Sequence, residues 1–363
     1  MAISDNLTLT SVQVRKSLLK AFKRRRPVFI WGPPGIGKSE VVADVANELG
    51  GHMIDLRMAQ MEPTDLRGIP YYNKDINRMS WSVAEDLPDE EFAKQYPIVV
   101  LFLDEMNSAP SAVQAAGYQL VLNRRLGKYK LPDNVVIVAA GNRESDKGVT
   151  YRMPAPLANR FIHVEMRADF TSWQTWAVNK GIHQDVVGYL SFSKNDLYDF
   201  DGKSSSRAFA TPRSWTFVSE LLEDEDIDND TLFNLIAGSV GDGLATKFMA
   251  HRKVSSKMPN PSDILSGKVK DLTVKEISAM YSLTTSMCYE LRDAIENRVD
   301  MKKFNTMADN FFSYMMANFE TELVVMGAKT ALKTFKLPIE PSQLKNFDEF
   351  HKKYGKYIVE AGN

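Results

Sequence analysis

Eight residues, Gly32-Pro33-Pro34-Gly35-Ile36-Gly37-Lys38-Ser39, hold the most legible chemistry of this 363-residue chain. An apolar run, Val28-Phe29-Ile30-Trp31, precedes them, and residues 40–46 follow with helical character. Strand, glycine loop and helix in that order turn consecutive backbone N–H groups inward around an anion, while the helix N-terminus adds the positive end of its dipole. The result is a phosphate cradle. Lys38 reaches the terminal phosphates as a point charge, and Ser39, the first hydroxyl on the helix, is a ligand for the accompanying Mg²⁺. The natural occupant is a nucleoside triphosphate.

Phosphoryl transfer to water also needs a base for the water and cations for the charge on the transferring group. Asp104 ends the six-residue apolar run 98–103, where it is placed to hold Mg²⁺ through its water shell. Glu105 beside it is the candidate to orient or deprotonate the attacking water. Asn142 follows a further apolar run, 135–140, and offers an uncharged amide that holds the water or feels the γ-phosphate without neutralising Glu105. Arg160 and Arg213 are candidates for stabilising transition-state charge. The residues alone do not rank these two above Arg143, Arg152 or Arg207.

These groups must be positioned by a sheet. Residues 28–31, 52–56, 98–103, 135–140 and 161–164 read as five strands separated by helical patterns. This predicts a three-layer α/β domain with a parallel five-stranded sheet, whose ligands bind at the carboxyl ends of the strands. Thr10 and Gln13 have capping-box spacing for an N-terminal helix that Pro27 ends. Residues 61–97 read as irregular, too long for a plain connection. A short hairpin is expected over 123–131. Beyond Phe170 helical signals dominate, at 173–178, 212–222, 232–236, 274–295 and 304–331, with a linker at 253–261. In the last helix Met307, Phe311, Phe312, Met315, Met316, Phe319 and Leu323 form an apolar face, read as core packing.

Composition limits the other readings. The formal net charge is −1, so no bulk basic field drives non-specific nucleic-acid binding. Basic residues cluster at 20–26, read as cations complementing the end of a helix, and acidic ones at 220–230, read as a solvated loop. The single cysteine, Cys288, excludes an internal disulfide and offers no metal-ligand cluster. Apolar runs are strand-sized, and residues 1–6 lack a secretory pattern, so a cytoplasmic protein is expected.

The set Gly32 to Ser39, Leu101-Phe102-Leu103-Asp104-Glu105, Ala140-Gly141-Asn142, Asn159-Arg160-Phe161 and Thr211-Pro212-Arg213 resembles a MoxR-type AAA+ ATPase, close to the CbbQ and NorQ branch. The resemblance spans roughly residues 20–265. It implies a Walker A loop at Gly32 to Ser39, a Walker B motif ending at Asp104 and Glu105, and a sensor-1 amide at Asn142. It further implies an arginine finger at Arg160 and a sensor-2 arginine at Arg213 on a helical lid. A pattern like Asp65-Leu66-Arg67-Gly68 occurs in the helix-2 insert of such relatives. The implied division is an N-terminal helix at 1–26, a nucleotide-binding domain at 27–167 with its insert at 61–97, a lid at 168–265 and a helical extension at 266–363. The implied activity is Mg²⁺-dependent ATP hydrolysis by a homo-oligomeric ring, usually a hexamer, that remodels or matures a protein client with a partner carrying a von Willebrand factor A (VWA) domain. The alternatives are a motor stimulated by nucleic acid, supported by the basic residues at 23–26 and 123–130, and a nucleotide-gated scaffold with little turnover.

Overall fold

The computed structural model describes residues 8–143, 146, 151, 153–201, 206–224, 226–272 and 274–360, with 347 and 357–360 described as backbone. Arg152, and Glu225 of the acidic run, lie outside the described residues. The chain divides into two compact units, residues 1–169 with 201–204, and residues 170–200 with 205–363.

The first unit contains β1 (Thr8–Leu9), α1 (Ser11–Phe22), β2 (Val28–Trp31), α2 (Lys38–Glu48) and β3 (His52–Arg57). It continues with α3 (Pro63–Arg67), β4 (Pro70–Asn73), β5 (Arg78–Trp81), α4 (Glu90–Ala93), β6 (Val99–Asp104) and α5 (Ser111–Asn123). β7 (Arg125–Leu126), β8 (Tyr129–Lys130), β9 (Val135–Gly141), α6 (Ala155–Ala158) and β10 (Ile162–Met166) complete it. Six strands form one sheet in the order β1-β10-β2-β9-β6-β3, with every neighbouring pair parallel. Residues 99–103 of β6 and all of β9 are buried, as expected when helices cover both faces of a parallel sheet. β2, β6 and β9 end at one edge of the sheet, so Gly32, Glu105 and Asn142 are delivered there together.

Several expectations are corrected. The sheet has six strands, because Thr8–Leu9 pairs with Glu165 and Met166 of β10; two residues are too short to show a strand pattern. The Thr10–Gln13 capping box is present and α1 runs to Phe22, at the basic cluster, but the turn at 23–25, with Arg25 left-handed, ends it before Pro27 is reached. The segment 61–97 is not irregular throughout. β4 and β5 form an antiparallel hairpin around the polar turn at 74–77, with Tyr71, Tyr72, Met79 and Trp81 exposed. α5 begins at Ser111 rather than 108, since residues 106–108 make a 3₁₀ turn ahead of Pro110. The expected hairpin at 123–131 is β7–β8.

The second unit is helical: α7 (Phe170–Lys180), α8 (Gln184–Phe192), α9 (Pro212–Leu221), α10 (Asn229–Val240), α11 (Asp242–Ser255) and α12 (Pro261–Leu265). α13 (Ile277–Glu296), α14 (Met301–Asn318), α15 (Thr321–Lys329) and α16 (Phe347–Glu360) follow. The expected linker at 253–261 begins inside α11. The single helix expected over 304–331 breaks at Phe319, which is extended, and α15 starts after Glu320. Phe311, Phe312, Met315, Phe319 and Leu323 are buried, and Met307 and Met316 pack against them, so that apolar face is core. Burial pushes the Cys288 thiol pKa up. Among the described residues no helix is long and apolar enough to cross a membrane.

Candidate active site

The glycine loop leaves β2 at Gly32, whose N–H extends the strand pairing by donating to the Gly141 carbonyl at 3.2 Å. Gly37 has φ +89°, a left-handed conformation that only glycine adopts without strain, and it is the residue from which α2 starts. The first N–H groups of that helix therefore point out of the loop, unpaired within the helix. Lys38 folds back over the loop. Its ammonium donates to the carbonyls of Gly32 (2.6 Å) and Pro33 (2.9 Å), and to Asn142 Oδ1 (3.2 Å). The cradle lysine and the amide after β9 are thus brought into direct contact.

Asp104 is the last residue of β6, and its carboxylate accepts the Glu105 N–H at 2.9 Å. Glu105 is exposed and has φ +52°, an uncommon conformation for a residue with a side chain. That turn aims the chain away from the strand at the point where the carboxylate is presented. Across the sheet Arg57 is in register with Asp104. Burial raises the pKa of Asp55 on the same strand, and the negative charge of Asp104 raises it further against the opposing pull of Arg57. A local excess of negative charge of this kind suits a divalent cation.

Asn107 was not singled out from sequence. Buried in the turn after Glu105, it donates from Nδ2 to the Asn142 carbonyl at 2.8 Å, while its own carbonyl accepts the Tyr151 N–H at 2.7 Å. Its Oδ1 is buried without a hydrogen-bond partner, and a Cβ placed on Gly141 would lie 2.1 Å from it. Glycine at the end of β9 leaves room for Asn107 to approach and hold the backbone of Asn142, and a larger residue there would make Asn107 shift.

One of the arginines is set apart from the others. Arg143 is bound at 2.9 Å by both Asp146 and Glu165, and these bonds raise its pKa although burial, the largest single influence, acts the other way. Arg160 follows α6, is exposed, and has no ion-pair partner among the described residues. Its loop is tied to β2 through His163, which accepts from Trp31 Nε1 at 2.9 Å and donates from Nε2 to the Ala158 carbonyl at 2.7 Å. This pair of bonds defines the tautomer, and sequence reading missed the residue. Arg213 belongs to the second unit. It is exposed on the first turn of α9, which is capped by Thr211 and Ser214 in a reciprocal capping box. Arg207 is also exposed in that unit. Asp65 caps its own helix α3, Leu66 is buried and Arg67 is exposed.

A parallel sheet with a glycine loop after one strand and an acidic pair after another defines a P-loop nucleotide-binding domain. Residues 28–166, within the first unit, match the ATPase family associated with various cellular activities (AAA), a family that uses ATP with Mg²⁺. Midasin of Giardia intestinalis is 26% identical over 197 residues, covering 50% of this chain and 4% of that protein. The proteasome-associated ATPase of Mycobacterium tuberculosis is 24% identical over 209 residues, covering 53% of this chain and 33% of that protein. The chain spans a third or less of the length of these relatives. Among solved structures, NtrX of Brucella abortus aligns at a TM-score of 0.40 with 16% identity, covering 96% of this chain and 68% of that one.

Proposed function

We propose that the protein is an ATP-hydrolysing motor of the MoxR kind that assembles into a ring, most simply a hexamer, and remodels or matures a protein client with a VWA-domain partner in the cytoplasm. One observation carries this reading: Arg160, exposed and without an ion-pair partner among the described residues, stands on the same domain as a complete phosphate cradle. An arginine so placed is available to a neighbouring copy, and a site that borrows it is complete only between subunits.

Within that site Gly32 to Ser39 bind the phosphates. Lys38 exchanges its loop carbonyl partners for phosphate oxygens. Ser39 and Asp104 hold Mg²⁺, and no cluster of three His, Cys, Asp or Glu side chains capable of holding a metal occurs among the described residues. That pattern fits a metal bound mainly by substrate phosphates and one or two protein oxygens. The metal, when bound, supplies charge neutralisation at the phosphates. Glu105 takes the proton of the attacking water. Asn142, braced by Asn107, contacts Lys38 and so senses whether a γ-phosphate is present. Arg160 of the adjacent copy and Arg213 stabilise the transition-state charge.

The test is turnover against protein concentration. ATP hydrolysis per subunit is expected to rise steeply as copies assemble, and Glu105→Gln is expected to keep nucleotide binding while losing turnover. Turnover per subunit that is independent of concentration and unchanged by Arg160→Ala overturns the reading. Capture of a protein partner by the Glu105→Gln ring, dependent on ATP, tests the client assignment.

A further inference from the structure

Two clusters of like charge, one in each unit, have almost no ion-pair partners within their own units among the described residues. In the first unit residues 23–26, Lys-Arg-Arg-Arg, lead into β2. The β7–β8 hairpin adds Arg124, Arg125, Lys128 and Lys130, with Arg125 directly opposite Lys130. The fold brings these two basic segments together. Arg25 acts on Arg124, whose pKa is lowered first by burial and then by that neighbouring charge. Both arginines have left-handed backbones, at φ 50° and 53°. Among the described residues one acid is in ion-pair reach, Asp133, itself 77% exposed and 3.9 Å from Arg25, while Asp89 and Glu90 act on Tyr129 of the hairpin. The other cations of the face have no ion pair among the described residues. Converging like charges cost stability that an anionic partner recovers.

The second unit holds the opposite sign. Residues 220–230, between α9 and α10, contain seven acids and no basic residue. Asp228 is spent locally, capping α10 through the N–H groups of Asp230 and Thr231. Glu220, Glu223, Asp224, Asp226 and Asp230 are exposed, and no ion pair involves them among the described residues. The formal charge of −1 therefore conceals two strong and opposed surfaces.

We propose that the acidic segment 220–230 of one copy docks on the basic face formed by residues 23–26 and 124–130 of a second copy. The two surfaces are different parts of the chain, so the contact is head-to-tail, the type that closes into a ring. The basic face leads into β2 and β9 at their N-terminal ends, the sheet edge away from the cradle, and docking there leaves the nucleotide site open. Nucleic acid is the other polyanion to consider. Base stacking needs exposed aromatic rings, and the one aromatic residue within the basic face, Tyr129, is half-buried, with its hydroxyl donating to the Pro88 carbonyl; the exposed Tyr71, Tyr72 and Trp81 belong to the β4–β5 hairpin. A segment of the same chain with matching charge is the better occupant.

The inference rests on the ring reading, and the experiment separates the two. Assembly with ATP is followed by mass photometry across protein and salt concentration. Compared with wild type are a basic-face variant (Arg24→Glu, Arg125→Glu, Lys128→Glu), an acidic-segment variant (Asp224→Lys, Asp226→Lys) and their combination. Each reversal is expected to raise the concentration at half-assembly at least tenfold and to remove much of its salt dependence. The combination, which restores complementary signs, is expected to regain most of the loss. Bound fluorescent ADP reports that every variant is folded. Variants that assemble like wild type, or a combination no better than either reversal alone, overturn the docking while leaving the ring in place. Wild type that stays monomeric with ATP overturns both. A labelled single-stranded oligonucleotide is titrated in parallel. Binding lost in the basic-face variant, with assembly unchanged, assigns the face to nucleic acid instead.

Discussion

Replacing Asn142 in two ways tests the contact at the centre of the site, because the two changes have opposite effects on nucleotide affinity. The amide oxygen is one of three acceptors around the Lys38 ammonium, at 3.2 Å and half-buried. Asn142→Asp puts a carboxylate at that distance from a cation, where a charge-assisted bond contributes about 1.5–3 kcal/mol. Lys38 is then held in the position it must leave to meet phosphate, and the new negative charge also repels the polyphosphate. Nucleotide affinity is expected to fall roughly 10- to 100-fold, since each 1.4 kcal/mol is tenfold. Asn142→Ala removes a neutral acceptor instead and frees Lys38. Affinity should stay within about threefold of wild type, or tighten, for a bond of about 0.5–1.5 kcal/mol, while turnover collapses. Fluorescent ADP and ATP titrations at fixed salt, beside steady-state turnover, give both numbers. An Asn142→Asp variant that binds as tightly as wild type refutes the argument that Lys38 is shared between loop, amide and phosphate.

Other expectations follow from single contacts. Gly141→Ala should destabilise the first unit by about 1–3 kcal/mol, read as a lower urea midpoint, because the added Cβ meets Asn107 Oδ1 at 2.1 Å. Arg160→Ala should leave stability within about 0.5 kcal/mol, as for an exposed side chain away from special features, yet lower assembled turnover by about 10³ to 10⁵. In the second unit His251 is buried against Ser282, which lowers its pKa to about 4. Its folded-state pKa lies below the unfolded value near 6.5, so the neutral ring's contribution is present above about pH 6.5 and is lost as pH falls toward 4, about 3 kcal/mol in all. Urea midpoints between pH 7 and 4.5 should show that slope in wild type and much less of it in His251→Gln.

The strands that deliver the site were legible because β6 and β9 are buried on both faces and so read as unbroken apolar runs. The cradle was legible for a related reason: its glycines, lysine and serine are contiguous, and their roles depend on local backbone geometry. What escaped reading depends on contacts across the chain. Asn107 matters because the end of β9 passes beside it, and His163 because Trp31 and Ala158 meet there. Neither has a local signature. Among the arginines only Arg143 is set apart, by Asp146 and, in a contact across the chain, Glu165 beside it; Arg160, Arg207 and Arg213 are exposed, and Arg160 has no ion pair among the described residues. The β4–β5 hairpin was missed for a different reason: Arg78-Met79-Ser80-Trp81 alternates, but over only four residues and inverted, with Ser80 buried and Met79 and Trp81 exposed, and Pro70-Tyr71-Tyr72-Asn73 does not alternate at all.

The central claim, a site completed by the neighbouring copy, is tested most directly by mixing two inactive variants. Glu105→Gln copies keep the finger and lack the base; Arg160→Ala copies keep the base and lack the finger. Alone, each is expected to be nearly silent. In a random equal mixture about one site in four has its own Glu105 and a neighbour's Arg160, so turnover should recover to about a quarter of wild type. A mixture as inactive as its components would show that Arg160 serves its own subunit, and the ring mechanism would be contradicted.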